Sequence, residues 1–187
     1  HIMPDFDSSK RISSPPPPPD SQVSQADSGQ FTHLDALGSA RMVNVGEKPV
    51  TQRRASASAV CVLNSGTAEA VRAGQIGKGD VLQVARLAAI SASKKTDELI
   101  PLCHSLGLDS VEVEFDWLDS QRLQIVVHVQ ATARTGVEME AMLAASVGAL
   151  TVYDMCKSRD RAIQITDLQL LSKSGGVRGD YVRKEGS

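Results

Sequence analysis

Two neighbouring segments with strict two-residue periodicity constrain the fold of this chain more than any other feature. Apolar and acidic residues alternate over 111–117, and apolar residues alternate with polar ones again over 123–133. The intervening segment, 118–121, is short enough to be the turn between two antiparallel strands. Together they predict a β-hairpin that buries one face and leaves the other to solvent.

A strand with unusually small side chains precedes the hairpin. From Arg53 onward, alternate positions are taken by Ala55, Ala57, Ala59 and Cys61. This is strand periodicity with one face that allows a covering element to approach closely.

Helical segments and one further strand complete the predicted domain. A first helix is expected over 64–74, and Asp80 is placed to cap a second. A long helix rich in small residues is expected over 137–157, and a last strand over 163–171. The order β-α-α-β-β-α-β predicts the α+β class, with a ferredoxin-like antiparallel β-sheet covered by helices on one face.

The N-terminal part has too few apolar residues to form a core. It consists largely of Ser, Asp, Gln and Pro, including five consecutive prolines at 15–19, and His1-Ile2 before Met3 suggests a cloning scar. A polyproline II ligand is the functional alternative to a plain tail. The predicted organisation is a disordered Pro/Ser-rich tail at 1–30, a folded domain at 31–181 and a flexible C-terminal tail at 182–187.

Composition excludes several classes of function. With 20 basic and 22 acidic residues and a net charge of -2, the chain has no excess positive charge for a nucleic-acid partner. It has no apolar run for a bilayer and no secretory h-region, so we expect no membrane partner and a cytoplasmic protein. The three cysteines are odd in number and lack Cys-x-x-Cys spacing, which argues against disulfides and structural zinc.

The segment 77–80, Gly-Lys-Gly-Asp, comes directly before the second helix. Its glycines allow the backbone to approach an anion, Lys78 adds positive charge, and the amides of the helix N-terminus favour a negative group. These properties suit a phosphate site. The segment is not a Walker sequence, however, and a turn with an exposed lysine is the commoner explanation of such residues.

Cys103 and His104 follow Pro101, which cannot continue a helix. An imidazole in such a loop would exchange protons near neutral pH or hydrogen-bond a substrate, and a structural histidine is the alternative. A metal site would need two further ligands. The other histidines and cysteines show no ligand spacing, so no metal site is predicted.

The long helix carries charged residues at both ends. Glu138 and Glu140 fall in its first turn, where the helix dipole alone would explain them. Asp154 and Lys157 are three residues apart and can pair. The pair is either a solvated surface contact, or a carboxylate that positions a lysine whose pKa is lowered by burial or by other lysines.

The length of this helix sets a geometric condition. Glu140 and Asp154 are fourteen residues apart, which corresponds to roughly 21 Å along a continuous helix. One small substrate cannot touch both. If both ends serve one site, either the helix is broken or the site combines residues of different subunits.

A glycine-rich cationic segment follows the last strand. Lys173 begins the run Lys-Ser-Gly-Gly, and Arg178 follows shortly after. Such a loop could close over phosphates, and a flexible solvated tail is an equally good explanation.

Five sequence blocks, taken together and in order, resemble the MoaC family, the molybdenum-cofactor biosynthesis protein C family. They are Lys-Gly-Asp-Val at 78–81, Leu-Ile-Pro-Leu-Cys-His at 99–104, Thr-Gly-Val-Glu-Met-Glu-Ala at 135–141, Leu-Thr-Val-Tyr-Asp-Met-Cys-Lys at 150–157 and Lys-Ser-Gly-Gly at 173–176. The resemblance covers most of 31–181. One departure is Ser105, which stands where the family commonly has proline.

The resemblance implies a fold, an assembly and an activity. The expected subunit is ferredoxin-like, and the expected assembly is a homo-hexamer, a trimer of dimers with active sites at the dimer interface. The expected activity is that of cyclic pyranopterin monophosphate synthase, a lyase that acts on 3',8-cyclo-7,8-dihydroguanosine 5'-triphosphate and releases pyrophosphate. The alternative is a catalytically silent homologue that acts as an anion-binding or structural subunit.

The same resemblance assigns residues. The positions that match catalytic residues are Lys78, Asp154 and Lys157. Those that match substrate-binding positions are Arg53, Cys103, His104, Met139, Glu140 and Lys173. No cofactor is expected, and whether a divalent cation accompanies the triphosphate is left open.

Overall fold

The structure, a computed structural model, describes residues 40–184. Within them the strands are β1 (Thr51–Val62), β2 (Ser110–Trp117), β3 (Arg122–Ala133), β4 (Gln164–Ser174) and β5 (Tyr181–Val182). They form one sheet in the order β2-β3-β1-β4-β5, with all neighbours antiparallel. The first four strands have the ferredoxin-like arrangement, so the predicted fold class is confirmed.

The helices are α1 (Ser65–Arg72), α2 (Val81–Ser93), α3 (Thr96–Leu99) and α4 (Glu138–Cys156). Side-chain caps start the first two. Asn64 Oδ1 accepts a hydrogen bond from the Thr67 amide at 2.8 Å, and Asp80 Oδ1 accepts from the Leu82 and Gln83 amides at 3.1 Å each. These bonds satisfy amides that have no partner inside the helix, as predicted for Asp80.

The core lies between the sheet and the helices α2 and α4. Ala55, Ala57, Ala59 and Cys61 of β1 point toward α4 and are at most 2% exposed. The facing side of α4 is also made of small residues, which include Ala141, Ala144, Ala145, Gly148 and Ala149. Small side chains on both surfaces bring the helix close to the sheet, and this explains the alternation in β1.

Arg72 fastens the end of α1 to the tip of the β2–β3 hairpin. Its Nη1 and Nη2 donate to the carbonyl oxygens of Ser120 and Asp119 at 2.9 and 2.7 Å. Its guanidinium carbon lies 3.7 Å from the centroid of the Trp117 ring, a cation–π contact. One side chain thus joins a helix, a strand and a turn.

The short strand β5 spans the predicted C-terminal boundary at 181. Tyr181 and Val182 pair with Lys173 and Ser172 of β4. Arg183 then donates its backbone amide to the Leu171 carbonyl at 2.8 Å. These bonds satisfy polar backbone groups on the edge of β4, so the folded domain continues past 181.

Other predicted boundaries shift by small amounts. β4 runs to Ser174, beyond the predicted 171, and the short helix α3 precedes the Pro101 loop. The predicted tail at 1–30, the cloning scar and the domain start at 31 lie outside the described residues. Across 40–184, no helix combines the length and the apolar character needed to cross a membrane.

Candidate active site

Two lysines and one carboxylate meet at the C-terminal end of α4. Lys157 Nζ lies 2.6 Å from Asp154 Oδ1, one helical turn away. Lys78 Nζ lies 3.5 Å from Asp154 Oδ2 and donates to the Asp154 carbonyl oxygen at 2.9 Å. The three residues predicted as catalytic therefore form one group, here called the lysine–aspartate cluster. Each of the three side chains is roughly half exposed.

The turn before α2 brings Lys78 to this cluster. Gly79 has φ of +106°, in the region that side chains with a Cβ rarely adopt, and its amide donates to the Ile76 carbonyl at 2.9 Å. Asp80 then caps α2. The glycine and the cap, which directly follow Lys78, fix the direction in which its side chain leaves the backbone.

Pairing shifts both partners toward their charged forms. Hydrogen bonding and charge from Lys157, then charge from Lys78, hold the pKa of Asp154 below its usual value. Hydrogen bonding and charge from Asp154 raise the pKa of Lys157. Of the two alternatives for this pair, the lysine with a lowered pKa is thus wrong for the single chain, because the side chain is half exposed and its neighbour is a carboxylate.

Glu140 is the buried titratable group at the other end of α4. Its residue is only 4% exposed. Burial, followed by the negative charges of Glu138 and Asp97, raises its pKa to about 7. Desolvation therefore outweighs any stabilisation of the Glu140 carboxylate by the helix dipole. The dipole alone does not explain a glutamate at this buried position. A carboxyl group with this pKa exchanges a proton near neutrality.

Cys103 and His104 lie in the loop that reaches the same end. Burial, then the charges of Glu140 and Asp97, raise the pKa of the Cys103 thiol. The His104 ring places Nε2 2.8 Å from the Val43 carbonyl oxygen. Because a carbonyl only accepts, Nε2 carries the hydrogen and Nδ1 of the neutral ring is an acceptor.

Arg53 is a buried cation at this end of the sheet. It is 8% exposed, and its Nε and Nη2 donate to the carbonyl oxygens of Ala133 and Arg134 at 3.2 and 3.1 Å. No carboxylate pairs with it among residues 40–184. A buried guanidinium with only neutral acceptors attracts an anion strongly.

The glycine-rich segment after β4 packs against Arg53. Gly175 and Gly176 have φ of +88° and +87°, and a Cβ at Gly176 would collide with the Arg53 guanidinium. Lys173 pairs with Ala55 two residues along β1 from Arg53, on the same side of the sheet. This packing places two cations, Arg53 and Lys173, beside a turn that only glycine adopts readily.

The remaining predicted residue, Met139, is half-buried in the first turn of α4, next to Glu140 in sequence. The residues at this end are here called the arginine–glutamate cluster. Its members are Arg53, Cys103, His104, Met139, Glu140 and Lys173.

The two clusters lie at opposite ends of one chain. α4 is an unbroken helix of 19 residues, and Glu140 and Asp154 are roughly 21 Å apart along it. The length of this helix left two possibilities, a broken helix or a site shared between subunits. Because α4 is continuous, the broken helix is excluded. If both clusters serve one site, each site takes one cluster from each of two subunits.

Sequence comparison decides the family. The model of the MoaC family matches residues 42–176. This chain belongs to the MoaC family. The matched range includes every residue of both clusters.

Named MoaC relatives cover nearly the same range. Cyclic pyranopterin monophosphate synthase 3 of Mycobacterium tuberculosis is 52% identical over 157 residues, which are 84% of this chain and 89% of the relative. The cyclic pyranopterin monophosphate synthase of Herpetosiphon aurantiacus is 52% identical over 152 residues, 81% of this chain and 93% of the relative. That of Rhodopirellula baltica is 47% identical over 165 residues, 83% of this chain and 94% of the relative.

One residue beside the candidate site is not among those predicted from the sequence. Asp97 of α3 contributes negative charge to both Glu140 and Cys103. The four-residue helix that carries it, Thr-Asp-Glu-Leu, has no apolar period long enough to reveal it in the sequence. In the sequence, the one feature that points to Asp97 is the position of its carboxylate shortly before Pro101.

A groove on the other face of the MoaC sheet belongs to neither cluster. Its volume is about 280 Å³, and its lining includes Arg54, Ser56, Glu114 and His128. Ser56 Oγ and His128 Nδ1 are 2.6 Å apart. Mixed polar residues on the uncovered side of an antiparallel sheet are the expected solvated face.

Within the described part of the chain, no group of three or more His, Cys, Asp or Glu residues is arranged to hold a metal ion.

Proposed function

We propose that this chain is a cyclic pyranopterin monophosphate synthase of molybdenum-cofactor biosynthesis. It is a lyase that converts 3',8-cyclo-7,8-dihydroguanosine 5'-triphosphate to cyclic pyranopterin monophosphate and releases pyrophosphate. Relatives with this name align with more than four fifths of the chain. The observation that carries the proposal is the meeting of Lys78, Asp154 and Lys157 at one helix end.

The lysine–aspartate cluster has the chemistry that this reaction needs. Two ammonium groups share one carboxylate, so the cluster keeps a net positive charge. Such a group stabilises the negative charge that develops as pyrophosphate leaves, and either lysine can donate a proton to a reacting atom. Asp154 holds both ammonium groups in place, which makes it a positioning residue for Lys157 and Lys78.

The arginine–glutamate cluster supplies the complementary functions. Arg53 and Lys173 bind triphosphate oxygens, because both are cations on one side of the sheet and Arg53 has no carboxylate partner within 40–184. Glu140 and His104 exchange protons or hydrogen bonds with the heterocycle. Met139 and Cys103 contact its less polar surface.

The proposal includes a shared site. Because α4 is continuous, one subunit contributes the lysine–aspartate cluster and another the arginine–glutamate cluster. The assembly proposed is a homo-hexamer, a trimer of dimers, in the cytoplasm and without a nucleic-acid or membrane partner. No resident cofactor is proposed, and a divalent cation enters only as a companion of the triphosphate.

A direct assay tests the proposal. Purified protein is incubated with the cyclised dihydroguanosine triphosphate, and cyclic pyranopterin monophosphate and pyrophosphate are measured by mass spectrometry and a coupled phosphate assay. Formation of both products, and their loss in Lys157→Ala, is the expected result. A correctly assembled wild-type protein that forms neither product is instead the silent homologue.

A further inference from the structure

The groove on the outward face of the sheet contains a hydrogen-bonded serine that neither cluster uses. Arg54 and Ser56 alternate along β1 with Arg53 and Ala55, so they lie on the face of the sheet opposite α4. Ser56 is half-buried and lies directly across the strand pair from His128 of β3. A solvated face explains polar residues here, but it does not explain a hydroxyl held against an imidazole.

The hydrogens of this pair have a defined order. Ser56 Oγ and His128 Nδ1 are 2.6 Å apart, and on the other side of the ring Nε2 lies 3.8 Å from Glu114 Oε2. The carboxylate attracts the ring hydrogen to Nε2, so Nδ1 of the neutral ring accepts a hydrogen bond from the Ser56 hydroxyl. Serine, imidazole and carboxylate therefore stand in the order of a nucleophile, a general base and a group that orients the base.

Arg54 supplies a positive charge to the same groove. It is two residues from Ser56 on the same face of β1, and both residues line the groove. Its Nη2 donates to Gln52 Oε1, a neutral acceptor, at 2.8 Å, and no carboxylate of residues 40–184 forms an ion pair with it. A guanidinium in this position can stabilise an oxyanion that forms next to Ser56.

We propose that this groove is a second active site, in which Ser56 attacks small activated esters. The groove volume of about 280 Å³ is at the lower end of ligand sites, which suits a short acyl group. The proposal goes beyond the proposed function and does not depend on it, because no residue of either cluster lines the groove.

The reaction has two steps. In the first, a bond forms between Ser56 Oγ and the ester carbon as the serine proton moves to His128 Nδ1, and the oxyanion lies beside Arg54. The bond from that carbon to the alcohol oxygen then breaks, and the leaving alcohol takes the proton from His128. In the second, water hydrolyses the acyl-serine by the same proton path. The net reaction converts ester and water to acid and alcohol.

The test uses p-nitrophenyl acetate and the full-length protein. Acetylation of Ser56 releases p-nitrophenolate, which is followed by absorbance. After acid quenching and proteolysis, mass spectrometry locates the acetyl group, and fragment ions separate Ser56 from Ser58. An acetyl group on Ser56 is expected in wild type and in Ser120→Ala, an exposed serine of the hairpin turn, and the fast phase of p-nitrophenolate release is expected to be absent in Ser56→Ala. Wild-type protein without an acetyl group on Ser56 overturns the proposal.

Substitution of the base tests the mechanism. His128→Asn keeps an oxygen that can accept a hydrogen bond from Ser56 but cannot take its proton, so acetylation is expected to slow roughly 10²-fold with unchanged far-ultraviolet circular dichroism. Gln124→Ala, on the same strand but outside the groove, is expected to react at the wild-type rate. Equal acetylation of Ser56 in wild type and His128→Asn would mean that an exposed hydroxyl reacts without a base, and this result also overturns the proposal.

Glu114 acts through His128, which makes it a positioning residue. Glu114→Gln is expected to lower the rate at saturating ester by less than His128→Asn does, and to leave the half-saturating ester concentration unchanged. A wild-type rate in Glu114→Gln would remove the carboxylate from the proposed site.

Discussion

Lys78 Nζ donates to the main-chain carbonyl oxygen of Asp154 at 2.9 Å while its charge lies 3.5 Å from the carboxylate of the same residue. That carbonyl belongs to the last turn of α4, whose oxygens lack partners within the helix and form the negative end of its dipole. Lys78 therefore caps α4 in addition to its proposed role in catalysis. Removing it has both a structural and a chemical effect.

The first prediction separates these two effects. Lys78→Ala and Lys157→Ala are each expected to lower turnover by roughly 10²-fold or more, because each removes an acid and a phosphate-stabilising charge. Both variants lose a contact with Asp154, and Lys78→Ala should lower the free energy of unfolding further, by about 1 kcal/mol for the lost cap. Steady-state assays and denaturant melts measure both quantities. Lys94→Ala, an exposed lysine after α2, is the control, and turnover near wild type in either cluster variant would remove that lysine from the mechanism.

The second prediction concerns the turn that positions Lys78. Gly79→Ala is expected to cost about 1–2 kcal/mol of stability, because alanine is strained at φ of +106°. Relief of this strain moves Lys78, so turnover should fall as well. Gly77→Ala is the matched control, since Gly77 has no positive φ and open space around its Cβ position. Equal effects of the two substitutions would show that the conformation of Gly79 is not what matters.

The third prediction follows from the raised pKa of Glu140. Below the ordinary carboxyl value of 4.5 both the folded and unfolded chains hold the proton, and from there to about 7 only the folded chain keeps it. Wild type therefore loses stability relative to Glu140→Gln as pH rises from 4.5 to 7, by at most about 3 kcal/mol. Urea melts of both proteins across this range measure the difference. A difference that does not change with pH would place the pKa of Glu140 at its ordinary value.

The fourth prediction tests the turn over Arg53. Gly176→Ala inserts a methyl group where the Arg53 guanidinium lies, so the guanidinium must move. We expect KM for the triphosphate substrate to rise about tenfold with a smaller change in kcat, because ground-state phosphate binding is lost. Gly107→Ala, with open space and no positive φ, should leave KM unchanged. Unchanged KM in Gly176→Ala would exclude Arg53 from the phosphate site.

Local patterns in the sequence predict the elements of this fold well. The alternation in the β2–β3 hairpin, the small residues of β1 and the Asp80 cap all arise from contacts within one element or between sequence neighbours. The i, i+3 pairing of Asp154 with Lys157 is local in the same sense. These features are set by helix and strand geometry, so the sequence alone contains them.

Long-range features were not accessible in this way. The contact of Lys78 with Asp154 joins residues 76 positions apart. The burial of Glu140 depends on how α3 and the Pro101 loop pack on α4, and β5 forms only because β4 offers a free edge. Periodicity reports which face of an element is buried, and it does not report which distant side chain covers that face.

The contact between Arg72 and Trp117 has a practical consequence. Trp117 is the sole tryptophan of the chain, and a guanidinium stacked on its indole shields that ring from water and from quenchers. Its emission therefore monitors one local event, the separation of the hairpin tip from α1. This end of the molecule carries its own optical reporter, and opening there can be followed without any attached dye.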